Sequence, residues 1–474
     1  MQLSIINFQL AIKSMTTKLK TTYETVIGLE IHVQLDTKTK MFCRCDNDSD
    51  NAEPNTNVCP VCMGYPGVLP VINNQAIEWG IKTALALGCE INPMQRFDRK
   101  NYFYPDLPKG YQISQFFYPV GENGVVEVDY LAQDRKTKKE FKLGITRLHL
   151  EEDAGKLVHA KGATLVDLNR CGTPLAEIVT EPDIKSPEEA RAFLQELQRI
   201  VRTIGVSKAD MEKGHLRVDA NVSVRPKGQK EFGTKVEVKN INSFKFVEKA
   251  LKYEVGRQIE VLENGGTIDQ ETRGWDEKNN QTIPQRGKEG DIDYRYFPEP
   301  DLPPIYVSEE QIKNIQKNME DMPSLLRRKA EEFGLPYDRI SELQDIATLE
   351  YNPLVGYVKL MGSNPGLDPV KVVNMLIKIL ALGRKEDAGI KITDDMWQKA
   401  LEIVVSKKDS FTAKDSDIEV VAKSILELEK EVVERYKKGE EKLFGYLVGQ
   451  VMAKMKGTAE PALVQQILKK LLTK

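Results

Sequence analysis

A chain of 474 residues is too long for one compact core, so its length predicts two to four domains. Hydrophobic residues make up 41% and charged residues 29% of the chain, a composition typical of a soluble globular protein. The 68 basic and 71 acidic residues leave a net charge of −3, so any contact with nucleic acid must be local. No apolar run approaches the roughly 20 residues that a bilayer requires, so no membrane contact is expected.

The first 22 residues are interpreted as an N-terminal extension without a targeting role. They lack a charged n-region and a small-residue cleavage site, and they contain lysine but no arginine, which argues against a mitochondrial transit peptide. Six cysteines in a chain without a secretion signal indicate a reducing compartment. We therefore expect a cytoplasmic protein of bacterial type, with an organellar location less favoured.

The periodicity of the chain predicts an α+β fold with a mostly antiparallel sheet. Short alternating segments separated by Gly, Pro and Asn turns extend to Pro304, and helical periodicity follows. The predicted domains are 23–318, which is rich in strands, 319–412, which is helical, and 413–474, a small helical tail. Lysine outnumbers glutamate near the C-terminus, which suits phosphate contact, but a solvated helix face explains this surplus equally well.

Four cysteines form two short pairs. Cys43 and Cys45 form a C-x-C pair, and after a polar loop Cys59 and Cys62 form a C-x-x-C pair. Two such pairs place four thiolates at the corners of a tetrahedron, which is the closed geometry of structural Zn²⁺. We predict a zinc-binding loop over residues 43–62 that leaves no ligand position for a substrate. An iron–sulfur cluster or reduced free thiols are the alternatives.

Several predicted strands have one apolar and one polar face. In VIGLEIHVQL the polar face carries Glu30 and His32. The same alternation puts Asp219 on the polar face of LRVDANVSVRP and Glu237 on that of TKVEVKN. Antiparallel sheets commonly leave one face in water. However, a carboxylate and an imidazole two residues apart project into one volume, as ligation of a hard cation requires.

Two further segments carry carboxylates that need compensation. LHLEEDAGK contains three consecutive acids, which repel one another unless they are solvated or neutralised by a cation. In LNRCGTPLAEIVTEPD the alternation places Glu177 among apolar side chains, where an unpaired carboxylate costs several kcal/mol. One or two Mg²⁺ ions would account for these features together.

The segment FDRKNYFYPDLPKGYQISQ interleaves Lys100 and Lys109 with tyrosines and prolines. Such a loop suits stacking on a splayed nucleotide end, although an ordinary packing loop has the same composition. The chain contains no P-loop motif, dinucleotide fingerprint, H-E-x-x-H or G-x-S-x-G. Any use of ATP would therefore take place on a sheet with metal ions.

These segments together resemble the GatB family, which comprises the B subunits of aspartyl/glutamyl-tRNA(Asn/Gln) amidotransferases. The resemblance rests on VIGLEIHVQL, YPGVLPV, FDRKNYFYPDLPKGYQISQ, LHLEEDAGK, DLNRCGTPLAEIV, LRVDANVSVRP, GTKVEVKNINSF, DYRYFPEPDLP and GYLVGQVM. It covers the chain from about Tyr23 to the C-terminus and rests on the order of the motifs.

The resemblance implies a cradle-shaped, kinase-like catalytic domain, a helical domain and a helical tail that binds tRNA. It implies a heterotrimeric ligase in which an amidase subunit frees ammonia from glutamine, beside a small third subunit. The GatB subunit would use ATP and Mg²⁺ to phosphorylate the side chain of Glu-tRNA(Gln) or Asp-tRNA(Asn), and ammonia would then displace the phosphate. A non-catalytic tRNA-binding scaffold and a metal-dependent hydrolase acting alone are the competing hypotheses.

The resemblance also implies site residues. Those that match the divalent-metal site of the family are Glu30, His32, Glu152, Glu177 and Glu237. Those that match polar positions near the reaction centre and the ammonia tunnel are Asp219, Lys100 and Lys109. Strand alternation disagrees at one position, because it puts Glu151 on the face of His149 and Glu152 on the opposite face. Following the family at Glu152 requires a bulge or a strand end there.

Overall fold

The structure is a computed structural model that describes residues 22–285, 293–347, 352–364, 366–385, 415–437, 439–440, 442–455 and 461–472. The predicted extension lies outside the described residues except for Thr22. The chain divides into two compact units, Met1–Val358 and Lys359–Lys474. The boundary predicted between residues 318 and 319 therefore falls inside the first unit, and the three-domain division stays a prediction.

Fifteen strands lie among the described residues, all in the first unit. They are β1 (Tyr23–Gln34), β2 (Glu90–Ile91), β3 (Met94–Asn101), β4 (Tyr111–Tyr118), β5 (Gly121–Leu131), β6 (Lys138–Glu152), β7 (Lys156–Ala160), β8 (Ala163–Asp167), β9 (Pro174–Thr180), β10 (Leu216–Pro226), β11 (Val236–Ile241), β12 (Thr272–Asp276), β13 (Gln281–Pro284), β14 (Phe297–Pro298) and β15 (Ile305–Tyr306).

Thirteen of these strands form one large sheet. Its central order is β13-β12-β11-β10-β1-β9-β6-β4-β3-β14, and β7 and β8 form a separate hairpin. The described pairs are antiparallel except for β11 and β12, which are parallel. The prediction of a mostly antiparallel sheet followed by helices is confirmed.

Twelve helices are described. They are α1 (Asn74–Ala86), α2 (Pro187–Thr203), α3 (Phe244–Glu263), α4 (Glu309–Lys317), α5 (Pro323–Glu332), α6 (Tyr337–Asp345), α7 (Pro353–Ser363), α8 (Pro369–Lys385), α9 (Asp415–Leu428), α10 (Lys430–Lys437), α11 (Leu443–Lys454) and α12 (Pro461–Leu472). None of them is both long enough and apolar enough to cross a membrane.

Local sequence explains where the two helices behind the sheet begin. The Ser186 hydroxyl accepts a hydrogen bond from the amide of Glu189 at the start of α2, and Pro187 follows it at the first helical position. Ser243 caps α3 in the same way, accepting from the amide of Phe246. Each cap satisfies an amide that the first helical turn leaves without a partner.

The alternation of β1 separates a core face from a polar face. Ile27, Leu29, Ile31 and Val33 are buried in one hydrophobic core together with the apolar sides of α2 and α3. Because α2 and α3 cover this face, the intervening side chains of β1 point to the other side of the sheet. The candidate site lies on that side.

Helices α5 and α6 belong to the first unit, although they follow the predicted boundary. Helix α5 contacts α2 and β5, and α6 contacts α5 and β5. The Arg327 guanidinium of α5 is fully buried and donates two hydrogen bonds to Glu196 of α2, at 2.8 and 2.9 Å. This buried pair joins the segment after residue 318 to the sheet domain.

The second unit contains a small helical cluster. Its buried side chains come from α9, α11 and α12 and are Ile418, Ala422, Ile425, Leu447, Val451, Val464, Leu468 and Leu472. They recur at spacings of three and four, which is the period of an apolar helix stripe. The described part of this unit is helical, as predicted.

Candidate functional site

Four neighbouring strands bring polar side chains into one row. In the registers of β10, β1, β9 and β6, Arg217 lies opposite His32, and His32 lies opposite Glu177. Glu177 in turn lies opposite His149. Since paired strands lie about 4.8 Å apart, matched positions on one face come into contact. The sheet thus places a carboxylate between two imidazoles.

Glu151, two residues after His149, completes this cluster. The Nε2 atom of His32 lies 3.3 Å from Oε2 of Glu177 and 3.4 Å from Oε1 of Glu151. The Nε2 atom of His149 lies 3.2 Å from the same oxygen of Glu177. The ligand atoms of His32, Glu151 and Glu177 lie within 4.8 Å of one another. One imidazole and two carboxylates at this spacing fit a hard divalent cation.

Burial and the two imidazoles together set the charges of the cluster. Burial disfavours the imidazolium of His32, but hydrogen bonds with Glu151 and Glu177 outweigh it and raise the pKa of His32 to about 10. Burial likewise opposes ionisation of Glu177, yet the charge of His149 and the bonds to both imidazoles lower its pKa well below the usual range. Both carboxylates therefore retain negative charge, which a divalent cation would compensate in place of the imidazolium protons.

A second polar group lies beside the first, on β1, β10 and β11. The Asn221 amide donates a 3.0 Å hydrogen bond to Glu30. The ammonium of Lys239 donates to Asp219 at 2.7 Å and lies 3.2 Å from a carboxylate oxygen of Glu237. Lys239 thus compensates the charges of two acids in this group.

Residues of both groups line a cavity of about 610 Å³. Six of the predicted residues contribute to its wall: Glu30, His32, Lys100, Glu177, Asp219 and Glu237. Its volume lies within the range of small-molecule sites, and it is lined by carboxylates as well as by cations. A larger cavity of about 770 Å³ beside α6 contains none of the predicted site residues. The chemistry of the lining therefore selects the smaller cavity.

Glu152 and Lys109 lie outside this cavity, contrary to the expectation from the family resemblance. The pairing of β6 with β9 stays regular from Arg147 to Glu152, and the register shift lies before Arg147. Glu152 therefore keeps the face opposite to Glu151, where its carboxylate accepts hydrogen bonds from Lys109 and from the amide of Ile113. Because no bulge turns it round, Glu152 does not join the cluster, and the structure brings Glu151 there instead.

The four predicted cysteines form a second candidate metal centre. The Sγ atoms of Cys43, Cys45, Cys59 and Cys62 lie within 4.8 Å of one another. A hydrogen bond from Cys43 is the main reason why the pKa of Cys62 falls to about 5, although burial opposes this shift. The thiolate is the form that binds metal. The expectation that these cysteines come together is confirmed, and the donor set fits structural zinc.

Lys40 contacts the cysteine centre, and we expect it to affect zinc affinity. It is fully buried, its Nζ lies 3.8 Å from Cys62 Sγ, and it donates a 2.7 Å hydrogen bond to the carbonyl of Asn57. We expect Lys40→Met to weaken zinc binding by about 10–100-fold, because outer-shell partners orient ligands and compensate their charge. Competition with a chromophoric chelator measures this affinity. The exposed neighbour Lys38 provides the control, and equal affinities of Lys40→Met and Lys38→Met would refute the role.

Comparison with known proteins shows which family this chain belongs to. Residues 25–313 match the family model described as the GatB/GatE catalytic domain, and residues 369–472 match the GatB domain. A Crocosphaera subtropica protein, named as the B subunit of aspartyl/glutamyl-tRNA(Asn/Gln) amidotransferase, is 46% identical over 96% of this chain and 99% of its own. The chain belongs to the GatB family.

Further GatB relatives bear the same name. Those of Carboxydothermus hydrogenoformans and Thermodesulfovibrio yellowstonii are 44% and 46% identical, each over 95% of this chain and 99% of the relative. The resemblance inferred from the motifs is therefore confirmed. The residues predicted to bind substrate, magnesium and zinc all lie within the matched GatB/GatE catalytic domain.

Two residues of this GatB site, Lys239 and Thr272, have contacts that could not be predicted from the sequence. Lys239 is visible on the polar face of its strand, but the sequence does not reveal its partner. Thr272, whose hydroxyl donates a 2.8 Å hydrogen bond to Glu237, gives no signal. It reaches the site because β12 pairs in parallel with β11, and periodicity within a strand cannot reveal that pairing.

Proposed function

We propose that this chain is the GatB subunit of a tRNA-dependent amidotransferase and phosphorylates the side-chain carboxylate of Glu-tRNA(Gln), Asp-tRNA(Asn) or both. The observation that carries the proposal is the convergence of Glu177, Glu151 and His32 in one cluster on a GatB-family sheet. Glu177 and His32 also line the cavity. Such a cluster suits a metal-dependent reaction between anions, and a tRNA scaffold would not need it.

The proposed reaction has two steps. An oxygen of the substrate carboxylate attacks the γ-phosphorus of ATP, so that a C–O–P linkage forms and the bond to the β-phosphate breaks, releasing ADP with its electron pair. Ammonia, freed from glutamine by the amidase subunit, then attacks the acyl carbon. The C–N bond forms, the nitrogen loses a proton, and phosphate leaves with the electrons of the C–O bond. The products are Gln-tRNA(Gln) or Asn-tRNA(Asn), ADP and phosphate.

The carboxylates and the imidazole of the site would bind Mg²⁺ in this proposal. Bound Mg²⁺ would neutralise the phosphate oxygens. The residues that would hold it are His32, Glu151 and Glu177. Glu30 and Glu237, which line the same cavity, would hold a second ion. Glu151 and Glu177 are buried, which fixes their oxygens in place before the substrate binds.

Lys100 supplies a positive charge in the wall of the same cavity. Burial disfavours its ammonium, but the negative charge of Glu151 raises the pKa of Lys100 above its usual value. Its Nζ lies 5.1 Å from the ring centre of Tyr294 and lines the cavity. A charged lysine in this wall suits contact with a phosphate oxygen. Asp219 holds Lys239, which lines the same cavity.

The proposed assembly is a heterotrimer of this chain with an amidase subunit, which supplies the ammonia, and a small third subunit. In this assembly the helical tail of the chain binds the tRNA. Zinc in the cysteine centre has a structural role, because all four ligands come from the chain. A cytoplasmic location, predicted from cysteine usage, fits a substrate of protein synthesis.

Glu151 and Glu152 provide a matched test of the metal site. We expect Glu151→Gln to raise the Mg²⁺ concentration needed for half-maximal amidation at least about tenfold, because it removes a charged ligand. Glu152→Gln keeps the carboxylates of the cavity and should leave this Mg²⁺ dependence unchanged, whatever it does to the maximal rate. Magnesium titrations of the assembled complex measure the effect. If Glu152→Gln raised the required Mg²⁺ concentration and Glu151→Gln did not, Glu152 would belong to the metal site and Glu151 would not.

Reconstitution tests the function itself. The chain is copurified with its two proposed partners, and transfer of γ-³²P from ATP to Glu-tRNA(Gln) and Asp-tRNA(Asn) is followed without glutamine. The proposal predicts labelled aminoacyl phosphate, which converts to the amide when ammonia is added. Normal tRNA affinity without ATP turnover would favour the scaffold hypothesis and overturn the proposal.

A further inference from the structure

Both flanks of the metal-binding loop (residues 43–62) contact Lys109. On one flank, the ring centre of Phe42 lies 5.9 Å from the ammonium of Lys109. On the other, Gly64 packs on the backbone of Lys109 so closely that a Cβ atom on Gly64 would lie 3.0 Å from Lys109 Cα and 3.1 Å from its nitrogen. Both contacts come from residues within two positions of a cysteine of the metal centre.

The partner of Lys109 is held from the same loop. The thiol of Cys171 donates a 3.2 Å hydrogen bond to the carbonyl of Cys62. The next residue, Gly172, accepts a 2.7 Å hydrogen bond from the amide of Met41 and donates one of 2.9 Å to the carbonyl of Asp153. Asp153 directly follows Glu152 in the chain. The flanks of the loop therefore contact Lys109 directly, and the loop is linked to Glu152 through hydrogen bonds of Cys171, Gly172 and Asp153.

This pair is sensitive to position. The side chains of Lys109 and Glu152 are only 9% and 2% exposed, so water cannot replace a lost partner. Glu152 also accepts a hydrogen bond from the amide of Ile113, which ties the pair to β4. Removal of a buried charge from its partner leaves an uncompensated ion, so a small displacement of the Lys109 backbone has a large cost.

We propose that the metal-binding loop is a clamp that positions the Lys109–Glu152 pair, with Gly64 and Phe42 as its points of contact. Metal binding closes the four cysteines and thereby fixes both flanks against Lys109. Gly64 must be glycine for two reasons: its φ of +68° favours glycine, and a side chain would collide with Lys109. The clamp rests on this geometry alone and does not depend on the proposed function.

Alanine variants of two glycines, Gly64 and Gly67, distinguish contact with Lys109 from a general effect of backbone strain in this segment. Gly64 and Gly67 both have a positive φ, +68° and +83°, so alanine strains the backbone at either position. A Cβ on Gly67 would meet nothing within 4 Å, whereas one on Gly64 would meet Lys109. Gly67→Ala is therefore the control for Gly64→Ala.

Hydrogen exchange measured by mass spectrometry on the assembled, zinc-loaded complex reports on the pair without reference to activity. We expect Gly64→Ala to accelerate exchange in the segment 107–115, which includes the amide of Ile113, at least about tenfold, and Gly67→Ala to leave it unchanged. Zinc content is measured in both variants and should equal that of the wild type. Equal exchange in the two variants would overturn the clamp.

Removal of zinc from the wild-type complex by a chelator gives a second, independent result. The segment 107–115 should again exchange faster, while helix α3, which lies behind the sheet, should not change and shows that the domain remains folded. Fast exchange of the loop with slow exchange of segment 107–115 would refute the clamp. If the wild-type complex lacks amidation, the proposed function fails, but these exchange results still decide the clamp.

Discussion

Replacing Glu177 by glutamine is expected to lower ATP-dependent amidation by about 10²–10³-fold, the loss typical of removing one preorganised electrostatic group. Glu177 contacts both imidazoles through one oxygen, at 3.3 Å from His32 and 3.2 Å from His149. Glutamine keeps the shape of the side chain but removes its charge. The site then loses a metal ligand and the partner of two imidazoles at once.

Glutamine hydrolysis and tRNA binding should survive this change, because neither requires the cavity in the proposed function. Amidation, glutaminase activity and tRNA affinity are therefore measured on the same preparation of the complex. Glu181→Gln is the matched control, since Glu181 is exposed and lies just beyond the end of the same strand. Loss of all three activities would indicate failed assembly. Amidation within about twofold of the control, with the complex intact, would contradict the assigned role of Glu177.

Period-two alternation explains how much of this site could be predicted. It placed Glu30 and His32 on the polar face of β1, and it marked Glu177 as a carboxylate that needs compensation; the structure shows both features. It also separated Glu151 from Glu152 correctly, whereas the family resemblance favoured Glu152. Where two acids are adjacent in a strand, the local rule is informative, because a shift of one residue moves a side chain through the sheet.

Contacts between distant segments could not be predicted. Alternation gives the face of each strand but not its neighbour, so the approach of Thr272 to Glu237 and of His149 to Glu177 depends on strand order. Helical periodicity has the same limit. The pattern after residue 318 predicts helices with one apolar face, but it does not show that α5 packs against α2 and β5.

Replacing Arg327 by methionine is expected to destabilise the first unit by about 3–5 kcal/mol, which is the usual cost of breaking a buried ion pair. The guanidinium is fully buried and binds Glu196 with two hydrogen bonds, and it also lies 2.5 Å from a carboxylate oxygen of Asp129. Methionine fills much of the same space but removes the nearest cation of both carboxylates. Among the residues that the structure describes, Glu196 then retains only Arg199, and Asp129 only Lys138, each at 3.6 Å. Burial of Glu196, which is 1% exposed, prevents water from compensating the loss.

Urea unfolding of the full chain measures this effect, with Arg328→Met as the control. Arg328 is exposed on the same helix, so its replacement should change the free energy of unfolding by no more than about 0.5 kcal/mol. Adding Glu196→Gln to Arg327→Met should recover part of the loss, because one unpaired charge is then removed. If Arg327→Met unfolded no more easily than Arg328→Met, α5 would not be anchored to α2, and the predicted boundary at residue 318 would gain support. If Arg327→Met instead lowered the free energy of unfolding of the sheet domain as well, the segment after residue 318 would fold together with that domain.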